Sequence, residues 1–181
     1  MSDAKKLELR KSKFQEYGFD RLNITPKKLP TPITNNIALS PDNPDMKDAF
    51  IDIAIKDMEH LKLLVGIPSN LVKEKKNHSI DETQDIYELA KMAVLSDWTN
   101  DLANSKRADE IEKFILSHAK SIKVGVFEDL VVNDGQKVSL TEPSYYFDNI
   151  TVYGTGEIIL SDHVKLVVSG EVSYIPAQGG K

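Results

Sequence analysis

Several groupings in this chain carry residue types that can do chemistry. Asp48 and Asp52 stand four residues apart, and Asp57 and His60 three apart. A two-metal centre in a helical bundle needs a carboxylate-x-x-His pair on each of two facing helices, with two further inward carboxylates. Asp57-x-x-His60 has that spacing, but His118 has Ile115 three residues before it, so the second pair is missing. A solvated acidic face accounts for these groups better than a metal centre. His118 falls in step with Ala108, Ile111, Phe114 and Ile115 and reads as a core or boundary histidine.

Ser161-Asp162-His163 contains the residue types of a hydrolytic triad. A triad is a spatial arrangement that adjacent residues seldom provide, and the segment reads as a turn between two β segments. Gly154-Thr155-Gly156 has the glycines of a phosphate-binding loop. It lacks the Gly-Lys-Ser/Thr that follows in such loops, and a strand pattern stands where the phosphate-binding helix belongs. With no cysteine, thiolate nucleophiles, thiolate metal sites and disulfides are excluded. These patterns assign no catalytic residue, no metal ligand and no cofactor.

The best candidate for a functional surface is Glu-Pro-Ser-Tyr-Tyr-Phe-Asp-Asn at 142–149, with Tyr153 close behind. Tyr145, Tyr146 and Tyr153 beside Asp148 and Asn149 suit sugar recognition, where a ring packs on the sugar face and polar groups take its hydroxyls. The same composition suits a protein interface, in which tyrosine is enriched. It also suits a loop whose rings shield a core.

The elements that must position these residues follow from composition and periodicity. A chain of 181 residues is long enough for one core, or for two small units sharing one. The net charge of −5 is unevenly spread: residues 1–30 carry eight Lys/Arg against four acids, and the remainder carries 15 basic against 24 acidic groups. A basic arm on an acidic body can meet nucleic acid, a membrane surface or the body of a neighbouring copy. Phe14, Tyr17 and Phe19 lie among the basic residues, but the acidic body repels phosphate, so nucleic acid is the least favoured of these partners. The first residues lack the apolar stretch of a signal peptide, and no run approaches the ~20 apolar residues of a membrane helix. The expectation is no transmembrane segment and a cytoplasmic protein by default, with signal-free export compatible.

Residues 2–17 fit a helix ending at Gly18, with Leu7, Phe14 and Tyr17 on one thin apolar face, so its helicity depends on a docking surface. Residues 22–44 hold five prolines, which forbids a regular helix or central strand. Leu22, Ile24, Leu29, Ile33, Ile37 and Leu39 make this an extended arm laid along a surface, its own or a partner's. From about Pro44, Phe50, Ala54, Met58, Leu61 and Val65 follow helical spacing as far as Gly66. Ser79-x-x-Glu82 reads as a capping box for a helix through Leu89 and Ala93, and a further helix runs to about Lys120.

After residue 121 the periodicity changes to alternation. Residues 127–140 and 147–160 repeat one pattern: Phe, two acid or amide residues, a branched apolar residue, a Gly-containing turn, a second strand. A looser copy follows through Leu166, Val168, Val172 and Tyr174. Either each copy is one coil of a β-solenoid, its aliphatics stacked on those of the next, or each is a hairpin in a meander. A stack this short exposes apolar side chains and backbone groups at its ends, which need cover.

The sequence thus predicts an α+β protein in three parts: a basic, Pro-rich arm (1–43), a small helical bundle (44–120) and a short all-β repeat module (121–181). The expected function is non-enzymatic: a structural or adaptor subunit contacting copies of itself or another protein. The alternative is a carbohydrate-binding module using Tyr145, Tyr146, Asp148, Asn149 and Tyr153 on a glycan.

Overall fold

The structure is a computed structural model and describes residues 3–16, 24–29, 36–65, 83, 85–95, 106–161 and 164–177. Its helices are α1 (Asp3–Glu16), α2 (Met58–Leu64), α3 (Ile86–Leu95) and α4 (Ala108–His118). Its strands are β1 (Ile37–Leu39), β2 (Phe50–Ala54), β3 (Ser121–Val132), β4 (Lys137–Leu140), β5 (Ser144–Tyr153), β6 (Glu157–Leu160), β7 (Lys165–Val168) and β8 (Val172–Ile175). The fold is mixed α+β with two sheets that do not close into a barrel.

The repeat read in the sequence sets the strand register. β3 and β5 pair in parallel with Phe127 beside Phe147, Asp129 beside Asn149 and Leu130 beside Ile150. β4 and β6 pair in parallel at the same twenty-residue offset, Val138 beside Ile158 and Leu140 beside Leu160. β5 then takes two short strands on its other edge, β7 along Ser144–Phe147 and β8 along Ile150–Tyr153. The turns at Asp134-Gly135 and Gly154-Thr155 join strands of different sheets, so neither forms the hairpin that the Asp-Gly signal suggests.

The two polar residues after each Phe now have a structural reason. Phe127 and Leu130 both enter the same core cluster, as do Phe147 and Ile150. In a regular strand, residues three apart face opposite ways. Two consecutive residues, Glu128-Asp129 or Asp148-Asn149, therefore absorb a change of face between them. In the third copy three residues, Ser169-Gly170-Glu171, fill the corresponding gap between β7 and β8. There the Gly170 N–H donates to Asp148 O and the Ile150 N–H donates to Glu171 O.

The sheet carrying β3 and β5 has apolar residues on both faces, and the molecule covers both. On one side Ile122, Val124, Val126, Tyr146 and Val167 join a cluster with Phe14, Leu61, Leu64, Leu89, Ile111 and Ile115 of the four helices. On the other, Phe127, Leu130, Val132, Tyr145, Phe147 and Ile150 meet Leu39, Val138 and Leu140 of the second sheet. A fully buried side chain of this kind contributes about 1.5–3 kcal/mol. Gly125 fits this inner side because a Cβ there would lie 2.9 Å from the rings of Phe50, Phe127 and Tyr145.

The Pro-rich arm lies on its own body. Lys27 bridges in parallel to Phe127: its N–H donates to Val126 O, and its carbonyl accepts from Glu128 N. β1 adds in parallel to β4, with Leu39 beside Leu140. Leu29 and Leu39 are buried, while Ile24 and Ile37 are partly buried against the two clusters. Leu22 and Ile33 lie outside the described residues.

The single helix expected from residue 44 onward is corrected. Phe50–Ala54 is a strand, antiparallel to β3, and the helix begins only at Met58. The isoleucines at 51, 53 and 55 alternate at period two while also fitting helical spacing. Pairing with the edge of β3 decides in favour of the strand, the state that β-branched residues prefer. Asp57 then caps α2, its side chain accepting from the His60 N–H at 2.8 Å. α1 forms as expected, but Phe14, Leu9 and Arg10 face the body and Leu7 faces solvent. The capping box at 79–82 lies outside the described residues.

Candidate functional site

Tyr145 and Tyr146 point to opposite faces of β5, and both rings are buried. The Tyr145 ring stacks near Phe127 and Phe147, with centroids 6.5 and 6.3 Å away. Its hydroxyl donates to Leu39 O at 2.5 Å and accepts from the backbone N–H groups of Thr141 and Glu142, both at 3.0 Å. Burial pushes this phenol up from its ordinary pKa, so it stays a proton donor. One side chain thereby ties the arm to the turn before β5.

Tyr146 meets Phe14 of α1 edge-on, ring centroids 4.7 Å apart, and its hydroxyl donates to Asp148 Oδ1 at 3.0 Å. Asp148 is itself buried and receives Arg10 through two bonds, Nε to Oδ1 at 3.1 Å and Nη2 to Oδ2 at 2.5 Å. This hydrogen-bonded pairing holds the guanidinium pKa above its ordinary value, against the cost of its partial burial. Asn149 bridges the stack: its amide nitrogen donates to Asp129 Oδ1 at 2.7 Å, and its oxygen accepts from the Glu171 N–H at 2.9 Å. Tyr153, the last residue of β5, is exposed.

The surface expected at Tyr145, Tyr146, Asp148, Asn149 and Tyr153 is corrected accordingly. Successive strand residues face opposite ways, and here one face meets the second sheet and the other meets α1. Neither buried ring has a face to offer a sugar.

The remaining candidates separate in the same way. The Asp57-x-x-His60 spacing belongs to the cap of α2, and His60 Nδ1 accepts from the Lys56 N–H at 3.2 Å. His118 is exposed at the end of α4, its ring 4.4 Å from that of Phe114. Asp162 and His163 lie outside the described residues. Among the described residues no group of three or more His, Asp or Glu is placed to hold a metal ion. Among them, too, no helix is long and apolar enough to cross a membrane. A groove of about 590 Å³ runs between α1 and the outer face of β3, β5 and β8, lined by Lys6, Asp129, Asn149, Thr151 and Ser173 among others. Its lining mixes an ammonium, carboxylates and hydroxyls, with no aromatic face.

The most distinctive surface is where the stacked strands stop. Each inward column can be followed strand by strand. Leu39 and Leu140 are fully buried, and Leu160, next in register, is 48% exposed. Leu130 is fully buried and Ile150 nearly so, and Val172 is 66% exposed. Val132 is buried, Val152 partly so, and Tyr174 is 63% exposed. Leu29, Met46, Ala49 and Phe50 pack in the same cluster as Leu39 and Leu130, so among the described residues the exposed inward positions of these columns lie at one end. Compared with protein-family models, curated proteins and solved structures, the chain matches none.

The open end combines this apolar surface with strand edges. Among the described residues β6 pairs only with β4, and β7 and β8 only with β5, so their outer edges face away from the sheet. Lys165 sits at this margin, its Nζ donating to Leu63 O at 2.5 Å. Burial pushes its ammonium pKa down. Sequence reasoning anticipated an uncapped end but did not name Leu160, Val172 and Tyr174. The signal is present: these are the inward positions of β6 and β8, in register with Leu140, Ile150 and Val152. Arg10 was also missed, because nothing local to α1 marks its partner 138 residues away.

Proposed function

We propose that this chain is a non-enzymatic structural or adaptor subunit that works through protein–protein contact at the open end of β6, β7 and β8. In this reading residues 121–177 are a short β-solenoid, with Lys27 and β1 as strand additions from the arm. The helices form a small bundle laid on one of its faces. Parallel pairing at the twenty-residue offset supports the solenoid, and the shared helical cluster supports the bundle. Two buried polar side chains support a structural role, because Tyr145 and Asp148 are each spent on joining distant segments.

The carrying observation is the asymmetry of the apolar columns: they start on the fully buried Leu39, Leu130 and Val132 and end on the exposed Leu160, Val172 and Tyr174. Contiguous apolar surface beside unpaired strand edges is what a partner protein covers. The test is a photo-crosslinking residue placed at Tyr174 on β8, in cells that make the protein, with Ser12 on α1 as the control position. Adducts from Tyr174 and none from Ser12 are expected. No adduct from Tyr174 would remove the reading.

A further inference from the structure

We infer that the open end is covered by a second copy of this chain, joined end to end about a two-fold axis into a closed dimer. This rests on the contact reading above and adds the identity and symmetry of the partner.

The first argument is the closed first rung. Leu29, Leu39, Met46 and Ala49 are at most 3% exposed. Among the described residues, a copy stacking its first rung on another's last rung would bring mainly backbone edges. Six of the nine exposed large apolar side chains described lie on β5, β6 and β8, so a copy that buries the most apolar surface at this contact presents its own open end. The contact is then isologous, the same patch on both sides, and it closes at two copies instead of growing into a filament.

The second argument is area. Tyr153, Ile159, Leu160, Val172, Tyr174 and Ile175, on β6, β8 and the adjoining end of β5, are each 38–66% exposed. Such side chains offer on the order of 500 Å² of apolar surface between them. Ile159 and Leu160, like Tyr174 and Ile175, are successive strand residues facing opposite sides, so a contact that buries them all wraps both margins of this end. Two such patches and their polar rims come to the ~1,200 Å² at which stable protein interfaces begin.

The third argument is charge. Beyond residue 30 the chain carries 24 acidic against 15 basic groups, so two copies meeting body to body repel. At the open end the described charges cancel: Glu157 pairs with Lys137 at 2.9 Å, and Lys165 offsets Glu171. Two such ends meet without net repulsion, as a self-complementary contact requires.

Light scattering on the full chain across a concentration series tests this. The expected result is a plateau at twice the 20.3 kDa chain mass. The double substitution Leu160→Arg with Val172→Arg should raise the dissociation constant by roughly 100-fold or more, since it buries unpaired guanidinium groups. Leu7→Arg, at an exposed position on α1, should leave the dimer intact. If the double variant misfolds by circular dichroism, hydrogen exchange on the unaltered chain decides. The amides of β6 and β8 should gain protection as concentration rises.

A chain that stays monomeric at all concentrations, a mass that keeps growing, or a folded double variant that stays dimeric overturns the inference. Crosslinks from Tyr174 to a different protein, with the purified chain monomeric, overturn the second copy and leave the contact reading standing. No crosslink at all removes both.

Discussion

Arg10 and Asp148 form a two-bond ion pair across 138 residues of sequence, and it is the polar link that holds α1 to β5. The Asp148 side chain is 6% exposed and that of Arg10 is 17% exposed. A carboxylate this deep is costly without its cation. Arg10→Ala should therefore destabilise the protein by about 2–4 kcal/mol, below the full cost of breaking a wholly buried pair because Arg10 keeps some contact with water. Replacing both residues, Arg10→Met with Asp148→Leu, should recover most of that loss. Urea denaturation gives the stabilities. Faster hydrogen exchange confined to α1 in the single variant would show where the loss falls. An Arg10→Ala protein as stable as the parent would mean that Phe14 alone holds the helix.

Tyr145 serves as a junction for three backbone groups. Tyr145→Phe keeps the ring between Phe127 and Phe147 but removes the acceptor for Thr141 N–H and Glu142 N–H and the donor to Leu39 O. Unsatisfied groups of this kind cost about 1–3 kcal/mol each when buried. Part of the turn is open to water, so a total of about 2–4 kcal/mol is expected. The midpoint of urea unfolding measures it. Exchange at β1 should quicken first, since Leu39 loses its tie to β5. Unchanged stability would show that water replaces the hydroxyl at all three groups.

How much of this was legible before the coordinates varies by element. The twenty-residue repeat is legible in the Phe-polar-polar-aliphatic step, but its pairing is not: coil and hairpin both fit the pattern, and only the parallel register of β3 with β5 separates them. The helix at Asp3–Glu16 was visible from its lack of breakers, and its dependence on a docked face from its thin apolar stripe. β2 was not legible. Phe50, Ile51, Ile53 and Ala54 satisfy both periods, and the deciding partner, β3, lies about seventy residues on. The tyrosines at 145 and 146 were misread for a related reason. Composition names residues suited to a surface, but facing is set by register and by which layers cover the sheet. Both depend on segments far away in sequence, α1 for Tyr146 and β1 for Tyr145.

Two turn glycines with positive φ should respond differently to the same change. Gly135 has φ +72°, and a Cβ there meets nothing within 4 Å. Gly154 has φ +55°, and a Cβ there would stand 2.3 Å from Asp134 Oδ1. Gly135→Ala carries only the backbone penalty, about 1 kcal/mol. Gly154→Ala must also displace the Asp134 carboxylate, so about 2–3 kcal/mol is expected. Thermal unfolding of the two variants side by side tests the order. Equal losses would mean that the Asp134 side chain swings away at no cost.

That carboxylate makes a pH prediction. Asp134 Oδ1 accepts from Thr155 N–H at 2.7 Å and Thr155 Oγ1 at 2.8 Å. The backbone bond first, and the hydroxyl second, hold its pKa below the ordinary aspartate value. A depressed carboxylate binds its proton less readily in the folded than in the unfolded chain. Its stabilisation is therefore fully present above the unfolded pKa near ~4 and is lost as pH falls through the lower folded value. The stability difference between the parent and Asp134→Asn should accordingly hold steady from neutral pH down to about 4 and shrink below it. Thr155→Val, which keeps the backbone donor, should narrow the window without abolishing it. Carbon-detected NMR titration reads the group directly, and an Asp134 carboxyl that titrates at or above the ordinary value would remove the basis for the pH effect.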